Sequence, residues 1–368
     1  MAAPLDRLRV ALERQGLAQA VLSHAETLAN LVGYAIPVED WPLANPFAPD
    51  PALLVVTPAD AVLVVADFYL GHARDTPARV LAYRSYDYER SPDPSDELER
   101  TLAGIELAAR PTAVEAGSLP LRIAEWLTTR GLELVDAEST IEEARRRKGP
   151  AELEAIRSAC RLADAVQQAV KDEARPGLTE AELAGLAQAA MYRAAGRRVP
   201  AILTVTSGPA TATGGGEATD RALAEGDLVL TDTSPWLAGA WSDTANAVVV
   251  GVPTAEHRRV FDAVRRALEL AIELCRPGAV ARDVDRRVRE SLADFGPSYG
   301  HHTGHGIGAA WSEEPRLTPY NEMTIEEDMV LAVEPAVYRP GWGGIRLEHV
   351  FVVRATGNEV LTKFEHRL

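Results

Sequence analysis

The chain has 368 residues, more than one ordinary hydrophobic core accommodates, so two domains are expected. Its 38 basic and 54 acidic residues give a net charge of -16, which repels phosphate backbones and anionic membranes and argues against nucleic-acid and membrane partners. Cys160 and Cys275 sit among apolar and helix-forming residues and read as reduced core thiols. The start, MAAPLDRLRVALERQG, lacks the apolar segment of a leader or a membrane span, so the expected location is the cytoplasm.

Residues 6–16 are the first expected helix, with Leu8, Val10 and Leu12 among charged neighbours and Asp6 capping the first turn. PALLVVTPADAVLVVAD (51–67) reads as a β-hairpin, two β-branched runs around a Thr-Pro-Ala-Asp turn. PTAVEAG and LELVDAE are expected strands flanking a helix at LRIAEWLTTRG, which makes the first part of the chain an α/β unit. The domain boundary is expected near 148, where Gly149-Pro150 cannot continue a regular helix. The basic run Arg145–Lys148 just before it reads as a solvated face or linker.

Two later stretches resemble each other. Arg-Pro-Gly at 175–177 and again at 276–278 ends one helix and precedes another, and Thr179 with Glu182 has the spacing of a capping box. Copies about a hundred residues apart predict a duplicated half, with the functional cleft between the halves.

DLVLTDTSPWLAGAWSDTANAVVVG (227–251) reads as strand, loop, strand, with Asp232 near the end of the first strand and Asp243 at the start of the second. A hairpin would set these carboxylates side by side, where they repel unless a proton or cation lies between them. GHHTGHGIGAAW (300–311) packs three histidines among glycines, and His305 is the sharpest candidate ligand. The apolar run VLAVEPAV delivers Glu334 and GGIRLEHVFVV delivers Glu348; charges embedded in such runs need a partner when buried. Four carboxylates and one imidazole suit two divalent ions, manganese, cobalt or zinc, about 3.5 Å apart. A water between such ions ionises near neutrality, and Glu334 beside it is the natural general base.

In order and context these residues resemble the pita-bread-fold metallopeptidases of the aminopeptidase P and prolidase type. The matching features are Asp232, Asp243 eleven residues on, Gly-His-Gly-Ile-Gly around His305, Glu334-Pro335, and Gly344-Ile345-Arg346-Leu347-Glu348, with His301 and Tyr338 also in place. The resemblance implies a creatinase/prolidase-like amino-terminal α/β domain (1–148) before an α+β pita-bread catalytic domain (149–368). It further implies a dinuclear metal centre, cleavage of Xaa-Pro peptides, catalytic roles for Glu334, His301 and Arg346, and a homodimer.

The departures are specific. Gly215 stands where the family has a histidine seventeen residues before the first aspartate, and Ser312 where it has one seven residues after the metal histidine. Losing donors of that kind costs on the order of 10²-fold each. Ala245-Asn246-Ala247 replaces Thr-Arg-Thr, and His349 replaces the aspartate after the last glutamate. The expected substrate contacts are therefore His301, Ser312, Tyr338, Arg346 and Trp311, with Trp236, Trp241 and Trp342 as further walls of a dry cleft. The triglycine at 214–216 lacks the lysine of a phosphate loop and reads as a flexible loop. The leading expectation is an exopeptidase acting on small proline-containing peptides. A carboxypeptidase on the same scaffold and a non-hydrolytic binding module are the alternatives.

Overall fold

The computed structural model describes residues 2–35, 51–89 and 92–368. The chain forms two compact units, Met1–Arg145 and Arg146–Leu368.

The first unit is a three-layer α/β structure. Its elements are α1 (Pro4–Arg14), β1 (Ala20–Leu22), α2 (Ala25–Val32), β2 (Leu53–Val56), β3 (Ala61–Ala66), β4 (Arg79–Tyr83), α3 (Pro94–Ala103), β5 (Pro111–Val114), α4 (Leu121–Thr129), β6 (Glu133–Asp136) and α5 (Glu138–Arg146). The six strands run in the order β4-β3-β2-β1-β5-β6. The expected hairpin is β2–β3, antiparallel from Leu53 opposite Val64 to Val56 opposite Ala61. Its turn closes locally: Thr57 Oγ1 accepts from the Asp60 amide at 3.0 Å. Alternate strand residues serve the two faces. Leu54, Val56, Leu63 and Val65 pack with α1, α2 and α5, while Leu53, Val55, Val62 and Val64 pack with α3 and α4. A sheet covered on both sides explains why these strands read as continuous apolar runs. The amino-terminal helix differs from expectation: it starts at Pro4 with Ala3 as N-cap, and Asp6 lies inside the first turn. Proline lacks the amide that a first-turn position leaves unused, so it sets the start before Asp6 can.

The second unit begins with α6 (Pro150–Glu173) and α7 (Glu180–Ala195), followed by β7 (Ala201–Ser207), β8 (Leu228–Leu237), β9 (Ala240–Trp241) and β10 (Thr244–Val249). Next come α8 (Ala255–Leu274), α9 (Ala281–Ser291), β11 (Gly304–Gly306), β12 (Glu313–Leu317), β13 (Val330–Val333), β14 (Ala336–Arg339), β15 (Gly343–Arg346), β16 (His349–Val352) and β17 (Glu359–Val360). One sheet has the order β10-β8-β7 with β9 on β8; a second has β12-β11-β13-β16-β17; β14 and β15 form a hairpin. Helices α6 and α7 bury Leu162, Val166, Leu183 and Met191 against Val205, Val229 and Val248 of the first sheet. Helices α8 and α9 bury Val260, Val264, Val284 and Val288 in the core that holds Leu331, Val333 and Phe351 of the second.

The duplication is visible in the backbone. Gly177 and Gly278, the glycines of the two Arg-Pro-Gly turns, have φ of +86° and +88°. Gly177 donates to Leu223 O and Gly278 to Ile325 O, each at 2.9 Å. Two residues later an antiparallel bridge forms in both copies, Thr179 with Ala222 and Val280 with Thr324. Each new helix then starts one residue beyond the bridge, and in the first copy Thr179 and Glu182 make the expected capping box. Only glycine adopts that positive φ without strain, so the repeated Pro-Gly marks a repeated turn.

The basic run before α6 is not a solvated face throughout. Lys148 is buried, and its Nζ lies 2.6 Å from Glu313 Oε2, with both side chains 3 % exposed. The same Nζ donates to Arg146 O at 3.0 Å, and Glu313 Oε1 accepts from the Ala310 amide at 3.1 Å. The pair therefore ties the entry to α6 to the loop between β11 and β12. Removing one member strands a buried charge, so Lys148→Met is expected to lower the unfolding free energy by about 3–5 kcal/mol. The Lys148→Met/Glu313→Leu double variant should lose clearly less. Chemical denaturation of the three proteins measures both, and equal losses in the single and double variants would contradict the pairing.

Candidate active site

Asp232 lies in the middle of β8, opposite Thr204 of β7 on one side and Ala245 of β10 on the other. It was expected near the strand's end. The strand instead continues through Ser234-Pro235-Trp236-Leu237, a run that reads as a turn but pairs with β7 and β9. Asp243 occupies the step between β9 and β10. Its Oδ1 accepts from Ser234 Oγ at 2.9 Å and its Oδ2 from Trp311 Nε1 at 2.8 Å.

The second sheet brings the other three candidates. His305 sits in β11 opposite Ala332. Its Nδ1 faces Gly306 O at 2.8 Å, and a carbonyl can only accept, so Nδ1 carries a proton and Nε2 is the ring atom left to meet an ion. His305 Nε2 lies 3.7 Å from Asp243 Oδ2. Glu334 follows β13, its amide bonded to Thr303 O at 2.9 Å. Glu348 was expected within one strand but lies in the two-residue step between β15 and β16. Its amide donates to Ala245 O at 3.0 Å, and its own carbonyl accepts from Thr244 Oγ1 at 3.0 Å. These bonds fasten the loop of the second half onto the first sheet, at the residue opposite Asp232.

The five candidates thus converge, and the electrostatics around them are uneven. Burial pushes the Asp232 carboxyl up to about 8; Arg346 beside it pulls the other way, while Asp243 and Glu334 push it further up. Burial, then Asp243, Glu334 and Asp232, raise Glu348 well above the carboxylate range. Glu334 is the exception: burial raises it, but the His302 hydrogen bond, the neighbouring His301 and the Arg346 guanidinium outweigh that and lower it to about 2. For His305, burial opposes the charged ring, but Asp243 and Glu334 outweigh it and the pKa is raised. Glu348 is 1 % exposed. Both its carboxylate oxygens are enclosed without a hydrogen-bond partner. A buried carboxylate with unmet oxygens and like-charged neighbours is an arrangement that a cation relieves. The donor atoms are placed to do this: those of Asp243, His305 and Glu348 lie within 4.8 Å of one another, as do those of His302, His305 and Glu334. The residues present fit divalent ions.

Of the expected catalytic and substrate-contact residues, Arg346, Tyr338, His301 and Trp311 adjoin this cluster. Arg346 is buried and bonded to Asp232, and its Nη1 donates to Tyr338 Oη at 3.1 Å. Tyr338 Oη is 3.1 Å from His301 Nε2, and His301 Nδ1 is 2.8 Å from His302 O. Since that carbonyl accepts from Nδ1, Nε2 accepts the tyrosine proton and the bonds run from Arg346 through Tyr338 to His301. Trp311 is 40 % exposed, its ring 5.8 Å from that of His305. Trp236 and Trp241 pack on each other at 6.4 Å. Trp342 is not a cleft wall: it lies against His257 of α8 at 5.7 Å and under Arg339. Ser312 has an enclosed hydroxyl without a partner.

The triglycine is packed rather than loose. A Cβ on Gly214 would come within 3.2 Å of the Tyr338 ring, and one on Gly216 within 3.2 Å of Thr206. Gly215 has φ +150°, and a Cβ there would sit 3.7 Å from Thr204 Oγ1 and 4.0 Å from Arg346 Nη2. The position where the resemblance implies a histidine therefore adjoins the site but carries a backbone that side chains avoid. Sequence reasoning passed over Thr204, whose hydroxyl is enclosed without a partner on the face of Asp232, and Ser234, which holds Asp243. It also left His302 unassigned, although the cluster of three histidines signalled it.

The profile of metallopeptidase family M24 matches residues 154–355, and that of the creatinase/prolidase amino-terminal domain matches residues 4–147. An Xaa-Pro dipeptidase of Pyrococcus horikoshii is 31% identical over 278 residues, 74% of this chain and 78% of that protein. A probable dipeptidase PepE of Mycobacterium tuberculosis is 29% identical over 357 residues, 96% of this chain and 92% of that protein. The crystal structure of the prolidase from Pyrococcus horikoshii superposes with a TM-score of 0.81 at 25% identity, covering 100% of both chains.

A raised carboxyl pKa favours the fold at low pH and loses that advantage as pH climbs toward the raised value. For Asp232 this window runs from 3.8 to about 8, so metal-stripped protein should weaken across it. Glu348→Gln removes one of the mutually repelling charges. In chelator its melting temperature should exceed that of the wild type by several degrees at pH 8, about 1–2 kcal/mol, with a smaller gap at pH 5. Scanning calorimetry at both pH values tests this, and a gap that shrinks as pH rises would contradict it.

Proposed function

The chain belongs to metallopeptidase family M24, and from that premise we propose that it is an exopeptidase cleaving small proline-containing peptides with two divalent ions held by Asp232, Asp243, His305, Glu334 and Glu348. A peptidase excludes the binding-module alternative. The observation that carries the metal assignment is Glu348, buried with two unpartnered oxygens beside Asp243 and His305. Four carboxylates offset the charge of two such ions, and the donor set suits manganese, cobalt or zinc. When bound, the ions supply Lewis acidity toward a carbonyl oxygen and ease the ionisation of water.

The protein's own groups do the rest. Glu334, whose neighbours lower its pKa, is a carboxylate at neutral pH. It takes the proton of the attacking water and returns it to the leaving nitrogen. The chain from Arg346 through Tyr338 to His301 fixes Asp232 on one side and the substrate-facing imidazole on the other. The half-exposed face of Trp311 offers a flat apolar surface for a prolyl ring. The hydroxyls of Thr204 and Ser312, enclosed and unpartnered, are the donors this chain offers where its relatives by resemblance use histidines. In this reading residues 149–368 form the catalytic domain, and the protein is a cytoplasmic homodimer.

One observation favours a second specificity. Gly215 carries no side chain, and a Cβ there would lie 4.0 Å from Arg346 Nη2, so a substrate's terminal carboxylate could approach that guanidinium and trimming from the carboxyl end is the alternative. Xaa-Pro-Xaa tripeptides blocked at either end separate the two. Cleavage only of carboxyl-blocked peptides means an aminopeptidase, and cleavage only of amino-blocked peptides a carboxypeptidase. Activity should vanish in chelator and return with manganese, cobalt or zinc, and Asp243→Asn should lower kcat/KM by about 10³-fold or more. Full activity in chelator would end this reading.

A further inference from the structure

We propose that His302 is a sixth ligand of the metal centre and tilts its preference toward zinc and cobalt over manganese, an inference that rests on the two-ion reading above. His302 Nε2 is 2.8 Å from Glu334 Oε1, and the donor atoms of His302, His305 and Glu334 all lie within 4.8 Å of one another. Ligands bound to one ion at about 2.0–2.2 Å are separated by about 3–4 Å, so little movement closes this triad on a cation. The His302 and His305 rings are 5.1 Å apart at 72°, edge to face.

The segment carrying His302 is held on several sides. Thr303 O accepts from the Glu334 amide and the Thr303 amide donates to Leu317 O, each at 2.9 Å. Thr303 Oγ1 donates to the buried Asp285 at 2.6 Å, Asp285 pairs with Arg289, and Arg289 Nη2 donates to His301 O at 2.6 Å. A donor fixed in advance in this way binds without first being ordered. Chemically, a second imidazole changes a set of four carboxylates and one ring nitrogen into one with two ring nitrogens. Nitrogen donors suit zinc and cobalt, whereas manganese is content with oxygen. A neutral imidazole also adds a ligand without altering the charge balance.

The competing role is a hydrogen bond from His302 to Glu334 and nothing more. His302→Gln keeps a nitrogen donor for that bond but is a poor ligand; His302→Ala keeps neither. Full-length wild type and both variants are titrated with zinc and with manganese by calorimetry, and the visible spectrum of each cobalt form is recorded. Both variants should bind one zinc about 10–100-fold more weakly, with manganese affinity changed by less than about 3-fold and an altered cobalt spectrum. Zinc affinity retained in His302→Gln but lost in His302→Ala would make His302 a positioning donor and overturn the proposal, as would wild-type affinities in both variants. A wild-type protein that binds no ion would instead overturn the five-residue reading on which it rests.

Discussion

Asp232, Asp243, Glu334 and Glu348 bring four carboxylates into one enclosed space. Water, which would ordinarily screen their repulsion, is largely excluded from it. Protein groups answer only part of the charge: Arg346 pairs with Asp232, His302 lies in hydrogen-bonding range of Glu334, and Glu348 has no hydrogen-bond partner among the described residues. Such an arrangement persists only if the surrounding backbone holds the groups in place. The energy for that comes from two apolar cores, one under each sheet of the second unit.

The duplicated architecture explains how five residues from distant segments meet. The first half supplies Asp232 from the middle of a strand and Asp243 from the step after it. The second half supplies His305, Glu334 and Glu348 from a strand and from positions just beyond strand ends. The bonds between Glu348 and the Thr244–Ala245 backbone join the two sets. Placing ligands where strands stop lets side chains point into a shared cleft while the ladders behind them stay intact.

What was legible in the sequence was local or chemically conspicuous. The hairpin at 51–67, the break at Gly149-Pro150 and the capping box at Thr179 depend on residues a few positions apart, and all three form. The charges at Glu334 and Glu348 stood out against apolar surroundings. What was hidden depends on partners far along the chain. Lys148 looked solvated because its counter-charge, Glu313, lies 165 residues on. The length of β8 was concealed by Pro235, which reads as a turn but pairs with Ala201 in the strand. Trp342 sits beside the ligands in sequence yet packs against His257 of α8, a partner 85 residues earlier in the chain. The packed triglycine was misread because its constraint is the Tyr338 ring, more than a hundred residues away.

The central claim is that the carboxylate cluster holds two ions. Crystals grown with manganese and measured at a wavelength where that element scatters anomalously test it most directly. The account expects two peaks about 3.5–4 Å apart, enclosed by Asp232, Asp243, His305, Glu334 and Glu348. A map without peaks there, or with manganese bound only elsewhere on the protein, would contradict it.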